Sequence, residues 1–381
     1  MMHSANLATS GYSVFLIEAG GNEVDSVLQS LPPRSAAAAE SAGHGWQFFV
    51  QHYANETQAR RDPKYTYIQP DGSYYVGLDP PEDAVPAGLY DPRGSTLGGS
   101  AQVNAMNFIW APDNEWDYIA EVTGDETWGH EYVRRHLMAL ENATYVPSGT
   151  PGHGFDGFLE ASQVNATTGL RAPNVAHFVQ EMFRIAEGFE VEDTEQMAEL
   201  LHRDINGIES DRWAGPASLF TTPVAISPTT QSRSGIGGYL NEVVAAGYPL
   251  TISLHSLATR VLFKHGGRVK RPRATGVEYW RYDPSQTAEI RSVRAKKEVI
   301  VSGGAFNTPQ IPKLSGIGPR EELEALEFPV LVDLPAVGVD RLWVVDASVF
   351  PRSPGGMPNG PTYTISRKAY EVILEDNEKG I

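Results

Sequence analysis

The chain has 381 residues, 41% of them apolar and 20% charged, an ordinary globular composition with enough length for two subdomains around substantial cores. Its 30 Lys and Arg against 47 Asp and Glu leave a formal charge of -17, which repels phosphate backbones and anionic headgroups, so no nucleic-acid partner is expected. No run approaches the roughly 20 apolar residues of a membrane helix, so no membrane span is expected. The absence of cysteine removes disulfides, thiolate metal sites and cysteine nucleophiles. The first ten residues lack the basic flank and apolar stretch of a secretory signal, and secretion is neither required nor excluded.

In chain order, the first readable element is Tyr12-Ser-Val-Phe-Leu-Ile-Glu18, an apolar β-branched run closed by Ala19-Gly20-Gly21, the pattern of a buried parallel strand ending in a turn. In a dinucleotide fold such an acid follows a Gly-rich phosphate loop by about 20 residues. Only 17 residues precede Glu18 and none forms that loop, so the first strand and phosphate loop are expected to be missing. Residues 22–92, rich in Pro, Gly, Ala and aromatics, read as mostly loops with one or two helical turns. Then comes Arg93-Gly-Ser-Thr-Leu-Gly-Gly-Ser-Ala-Gln-Val-Asn104-Ala-Met106, whose glycines and small hydroxyl residues permit close backbone approach to a flat or phosphorylated ligand. Helices are expected around Glu115-Trp-Asp-Tyr118 and over 128–140. Within the second, His130-Glu-Tyr-Val-Arg-Arg-His136 has Arg134 where a metal-binding helix needs its second His, so it reads as a surface helix without a metal. Gly152-His-Gly-Phe-Asp-Gly157 has a dinucleotide-loop spacing but neither strand before it nor helix after it, and reads as a flexible surface loop. Strands are expected at 249–254, 260–263, 274–280 and 296–301, the middle ones an antiparallel insert. The last leads through a Ser302-Gly-Gly-Ala305 turn into a helix, the order of an α/β unit.

Gly94-Ser-Thr-Leu-Gly-Gly-Ser-Ala-Gln-Val-Asn104-Ala-Met106 resembles the first signature of the glucose-methanol-choline (GMC) oxidoreductases, in which a Gly-x-x-Leu-Gly-Gly-Ser run leads to an asparagine against the flavin. Val14 to Gly20 is similar to that family's second Rossmann strand, with Glu18 in the place of the acid that holds the adenosine ribose. Gly304-Ala-Phe-Asn-Thr-Pro-Gln-Ile-Pro-Lys-Leu-Ser-Gly-Ile-Gly318 resembles the second signature, and Leu342-Trp-Val-Val-Asp-Ala-Ser-Val-Phe-Pro351 the closing flavin-contact strand. The resemblance implies an α/β fold: a Rossmann-like FAD-binding domain with a reduced substrate domain. It divides the chain into a partial FAD domain with the first signature (1–155), a partial substrate segment (156–240), FAD-domain strands with the second signature (241–339), and a closing strand and helix (340–381). It implies FAD contacts at Glu18, Thr96, Gly98, Gly99, Asn104, Met106, Asp346 and Ala347, with Ala258 touching adenine through its backbone. More weakly, Arg233-Ser234 leading to Tyr239-Leu240 looks like the family's Arg-Ser-rich approach to a Tyr-Leu.

The implied activity is FAD-dependent oxidation of a small-molecule alcohol at a CH–OH group, with electrons passed to oxygen or an organic acceptor. Three departures bear on it. The phosphate loop before Val14 is absent, which predicts weakened FAD binding through loss of a helix N-terminus. Pro312 stands inside the second signature, where it is expected to kink or end the helix. Leu334-Pro-Ala-Val-Gly338, which in the family leads into a long substrate segment, is followed almost at once by Asp340, and the ten histidines all lie at or before His265, so the principal catalytic histidine is missing. The family's second active-site position aligns with Met357, whose thioether takes no proton. Asn359 is its nearest polar neighbour. The alternatives are a noncatalytic remnant or pseudoenzyme from an incomplete gene model, and a non-redox FAD-containing cyclase or lyase.

Overall fold

In the computed structural model, which describes residues 1–210, 218–266, 269–282, 288–333, 342–354 and 357–379, the chain opens on a helix that the sequence pattern does not announce. This helix, α1 (Met2–Thr9), lays Met2, Ala5 and Ala8 into the main core with Leu16 of β1 (Val14–Ile17). A helix thus stands directly ahead of β1, where the sequence pattern gives none. Its small residues, Ser4, Ala5 and Ala8, allow close packing on the strand, but give no amphipathic stripe to read.

Residues 22–92 are also more regular than predicted. Short helices α2 (Val27–Ser30) and α3 (Ser35–Glu40) lead to β2 (Gly45–Val50); α4 (Glu56–Ala59), β3 (Tyr65–Ile68), β4 (Tyr74–Val76) and β5 (Val85–Gly94) follow. The strands form an antiparallel sheet in the order β2-β5-β3-β4. Aromatic residues supply the β-propensity, and the prolines that argue against a strand are accommodated at Pro86, next to a register shift between β3 and β5, and at Pro92 opposite Gln47. On this sheet Phe48 packs against Phe306, their ring centres 4.8 Å apart, and Arg93 lies over the same Phe306 ring.

The predicted helices stand at α5 (Asp113–Thr123) and α6 (His130–Met138). The second is not a surface helix, since it buries Val133, Arg134, His136 and Leu137. A small sheet of β6 (Glu141–Ala143), β7 (Leu159–Gln163) and, after the helices α7 (Ala166–Leu170), α8 (Pro173–Ala186) and α9 (Thr194–Leu201), β8 (Pro223–Val224) completes this region. α7 to α9 enclose a separate minor core of Leu170, Phe183, Val191, Met197 and Ala198.

After α10 (Ile236–Ala245) the chain enters β9 (Leu250–Ser253), which pairs in parallel with β1, Val14 opposite Leu250. The predicted antiparallel insert is a meander of β10 (Ser256–Gly266), β11 (Val269–Arg281) and β12 (Glu289–Arg294). The predicted strand, glycine turn and helix unit is β13 (Val299–Val301) followed by α11 (Gly304–Leu314). α11 contains Pro309 and Pro312 and runs past the second by two residues before ending. β14 (Ile317–Gly318), α12 (Arg320–Ala325) and β15 (Val332–Asp333) follow, then β16 (Leu342–Val344), parallel to β13, and the long closing helix α13 (Asn359–Lys379). The join from Leu334 through Gly338 to Asp340, and the glycines Gly355 and Gly356, lie outside the described residues. Among the described residues no helix is long and apolar enough to cross a membrane.

Candidate flavin site

Two parallel pairs, β1–β9 and β13–β16, present their carboxyl ends with an acid just beyond each: Glu18 after β1 and Asp346 after β16. Ligands in open α/β sheets bind at such ends. Glu18 is 6% exposed, and its Oε1 accepts the Gly20 N–H at 2.8 Å. Burial pushes its carboxyl up to about 7, against the downward pull of the Gly20 and Ala19 amides. Its backbone is tied to the next strand, because the Ser256 N–H donates to the Glu18 carbonyl. Ala258 follows two residues along β10, opposite Tyr279 of β11.

Asp346 gathers the second signature. Its Oδ2 accepts the Gly304 N–H at 2.8 Å and the Thr308 hydroxyl, and its Oδ1 accepts the Ser348 N–H at 2.9 Å across Ala347. Both Glu18 and Asp346 lie within electrostatic reach of Met1, where α1 starts.

The first signature meets β1 by direct backbone contact. A Cβ placed on Gly20 would lie 1.9 Å from the Ser95 carbonyl oxygen, so only glycine fits there. Thr96 is wholly buried; its hydroxyl donates to the Gly21 carbonyl at 3.2 Å and accepts Gln29 Nε2 at 3.1 Å, so it supports the turn from behind. Gly98 and Gly99 follow with φ of 106° and 61°, a left-handed pair that turns the chain against the start of α1, where the Gly98 N–H meets the Met1 sulfur at 3.2 Å.

Beyond this turn stands Asn104, half-buried. Its Oδ1 accepts the Met106 N–H at 2.9 Å and an Arg233 N–H at 2.7 Å. Met106 is itself 3% exposed with φ of 61°, strain of the kind that collects at ligand sites. Next along, the Asn107 side-chain amide lies 3.8 Å from the sulfur of Met357, which stands just before α13. The structure thus brings Glu18, Gly98, Gly99, Asp346 and Ala347 around the start of α1, and places Asn104 and Met106 one turn further on, with Met357 against Asn107.

Sequence reasoning missed a second constellation. His153, read as part of a flexible loop, is buried between two carboxylates: Nδ1 meets Glu141 Oε2 at 3.1 Å and Nε2 meets Asp204 Oδ2 at 2.9 Å. Glu141 also accepts the Tyr145 hydroxyl at 3.0 Å and the Gly154 N–H at 3.1 Å, and Asn206 bridges Tyr145 to the carbonyl of Phe108. The loop is fixed from below as well, since a Cβ on Gly154 would lie 1.7 Å from the Met138 carbonyl oxygen. Only the unusual Gly-His-Gly run could have signalled this, because the partners stand at positions 141 and 204.

A dinucleotide-type α/β frame with a glycine turn at its carboxyl edge defines the class of protein. Residues 86–340 and 332–366 both match the GMC oxidoreductase family, and the chain belongs to it. FAD is the cofactor of that family's fold. The chain is 32% identical over 246 residues to an oxygen-dependent choline dehydrogenase of Pseudomonas syringae pv. tomato, covering 65% of this chain and 38% of that protein. It is 28% identical over 283 residues to the GMC oxidoreductase family protein Mala s 12 of Malassezia sympodialis, covering 71% of this chain and 41% of that protein. It therefore spans about two-fifths of the length of these relatives. Among solved structures, formate oxidase of Aspergillus oryzae superposes with a TM-score of 0.62 at 19% identity, over 88% of this chain and 49% of that one. Pyridoxine 4-oxidase from Mesorbium loti gives 0.59 at 19% identity, over 89% and 53%.

The residues present fit the group. A buried acid at a parallel strand end suits ribose hydroxyls, and a left-handed glycine pair beside a helix start suits a diphosphate. One consequence is measurable without flavin. Binding of adenosine, which does not itself titrate near neutrality, is expected to strengthen about tenfold from pH 6 to pH 8 as Glu18 ionises. Isothermal titration of the wild type and of Glu18→Gln tests this; an equal slope in both would remove Glu18 from the site.

Proposed function

We propose that this chain carries the FAD-binding frame of a GMC oxidoreductase acting on CH–OH groups. The observation that carries the reading is the convergence of Glu18, the Gly98–Gly99 turn and Asp346 at the start of α1, with Asn104 fixed beyond them. Glu18 would hold the adenosine ribose, with Ala258 beside the adenine. Gly98, Gly99 and the first turn of α1 would face the diphosphate, and Asn104, Met106 and Ala347 the ring system. FAD, when bound, supplies the hydride acceptor for an alcohol carbon. The chain's residues bind and orient; the expected partners are a small-molecule alcohol and oxygen or an organic electron acceptor.

Proton removal decides between two readings. Oxidation of an alcohol needs a general base for the hydroxyl proton, and at the position beside Asn107 the side chain is Met357, a thioether. This favours a second reading: a flavin-binding protein that performs little or no alcohol oxidation. Anaerobic addition of primary and secondary alcohols, choline among them, to the FAD-loaded chain is expected to leave the visible flavin absorbance unchanged. Bleaching by any of them would show that a base is supplied from elsewhere and would restore the oxidoreductase reading for this chain.

A further inference from the structure

We propose that Arg233 is a positioning residue for the flavin, one that turns Asn104 so that its carboxamide offers only N–H donors toward the ring system. The inference rests on the FAD-binding reading above. Four hydrogen bonds radiate from this one guanidinium: Nε to the Gln29 carbonyl at 3.1 Å, one terminal nitrogen to the Ala101 carbonyl at 3.0 Å and to Asn104 Oδ1 at 2.7 Å, and the other to the Asn104 carbonyl at 2.8 Å. The Arg233 backbone N–H adds a bond to the Ser30 carbonyl at 3.2 Å. The 29–30 and 101–104 segments, distant in sequence, are thereby tied together at Arg233.

The orientation follows from donor and acceptor counting. A carboxamide oxygen has two lone pairs, and both are taken, by Arg233 and by the Met106 N–H at 2.9 Å. With the amide reversed, its NH2 would face two donors. The oxygen therefore points into the protein, and the NH2 is left for an acceptor outside. The isoalloxazine edge is rich in carbonyl and imine acceptors, so the arrangement selects one mode of contact. Lysine cannot reproduce it, because an ammonium is a point charge without the planar fork that here reaches both the Gln29 carbonyl and the 101–104 segment. All four acceptors of the guanidinium are neutral oxygens, so its charge has no bonded carboxylate to cancel it. That leaves a positive charge directly behind the Asn104 amide, which strengthens the amide as a donor.

The test uses Arg233→Lys and the whole chain, with two readouts. The first is the Asn104 side-chain amide resonance in a 15N correlation spectrum of the flavin-free protein, assigned by its disappearance in Asn104→Asp. It is expected to shift and broaden in the lysine variant. The second compares ligands: FAD affinity is expected to fall about tenfold, whereas adenosine, held at Glu18, keeps its affinity. An unchanged amide resonance overturns the proposal, as does an equal loss of adenosine and FAD, which would mark Arg233 as merely structural. If the wild type takes up no FAD, the functional reading falls, and the amide resonance still decides whether Arg233 orients Asn104.

Discussion

His153→Ala is expected to lower the free energy of unfolding by about 3–5 kcal/mol, the cost of leaving a buried charge without its partner. Glu141 is 0% exposed and Asp204 shares the same imidazole, so removing the ring strands one carboxylate in the core and loosens the other. The effect is separable from general surface electrostatics. His130 pairs with Asp117 at 2.8 Å but is only half-buried, its partner open to solvent, and His130→Ala is expected to change stability by no more than about 0.5 kcal/mol. Urea unfolding of both variants measures the contrast; similar midpoints would show that the buried network contributes nothing.

The same residue sets a pH dependence. Burial alone would lower the His153 pKa, but the hydrogen bonds and charges of Asp204 and Glu141 outweigh it and raise the ring to about 9. A raised folded-state value means that the contribution is whole below pH 6.5 and is lost as pH rises through about 9. Its size, from the same interval, is about 3 kcal/mol. On the acid side, Asp204 is held below its ordinary value by His153 and the Asn206 and Gly207 amides, in spite of its burial, so its share is lost only as pH falls through that lowered value. Wild-type stability should therefore decline between pH 7 and 9.5, and His153→Ala should lack that decline. A wild-type profile flat across this interval would contradict the assignment.

Gly20→Ala is expected to cost about 3 kcal/mol and to abolish adenosine binding. The added methyl would lie 1.9 Å from the Ser95 carbonyl oxygen and 2.4 Å from its carbon, and both are backbone atoms that cannot rotate away. Relief requires moving the carboxyl end of β1 away from the first signature, which displaces Glu18 from the glycine turn. Gly238, within α10, is the control: its Cβ would meet nothing within 4 Å, and alanine there is expected to stabilise by about 0.5–1 kcal/mol. Thermal unfolding with calorimetric titration of adenosine reads both effects. Unimpaired adenosine binding in Gly20→Ala would show that the nucleotide site does not depend on this contact.

The elements legible in the sequence are those whose signal is local. β1, the α5 and α6 segments, the β10–β12 meander and the β13-turn-α11 unit are each marked by a short apolar run or a glycine turn. α1 is built from small residues and polar ones that happen to be covered, His3 and Ser4 among them, so no stripe announces it. The β2-β5-β3-β4 sheet is hidden because Pro86 and Pro92 stand in a strand that nonetheless pairs on both sides. For the site, residue types were readable and connections were not. Glu18 and Asn104 are visible in their motifs, but the guanidinium that holds Asn104 comes from position 233, and the carboxylates around His153 come from positions 141 and 204. Pro312, which has no N–H and crowds the preceding turn, was legible as a helix terminator: α11 runs only two residues past it, to Leu314.

The central claim is that these residues form a flavin-binding frame, and titrating FAD into the purified chain while following flavin fluorescence tests it most directly. The account predicts a saturable one-to-one change that excess adenosine reverses and Gly20→Ala removes. A fluorescence trace that does not saturate, or that is the same in Gly20→Ala, would contradict it.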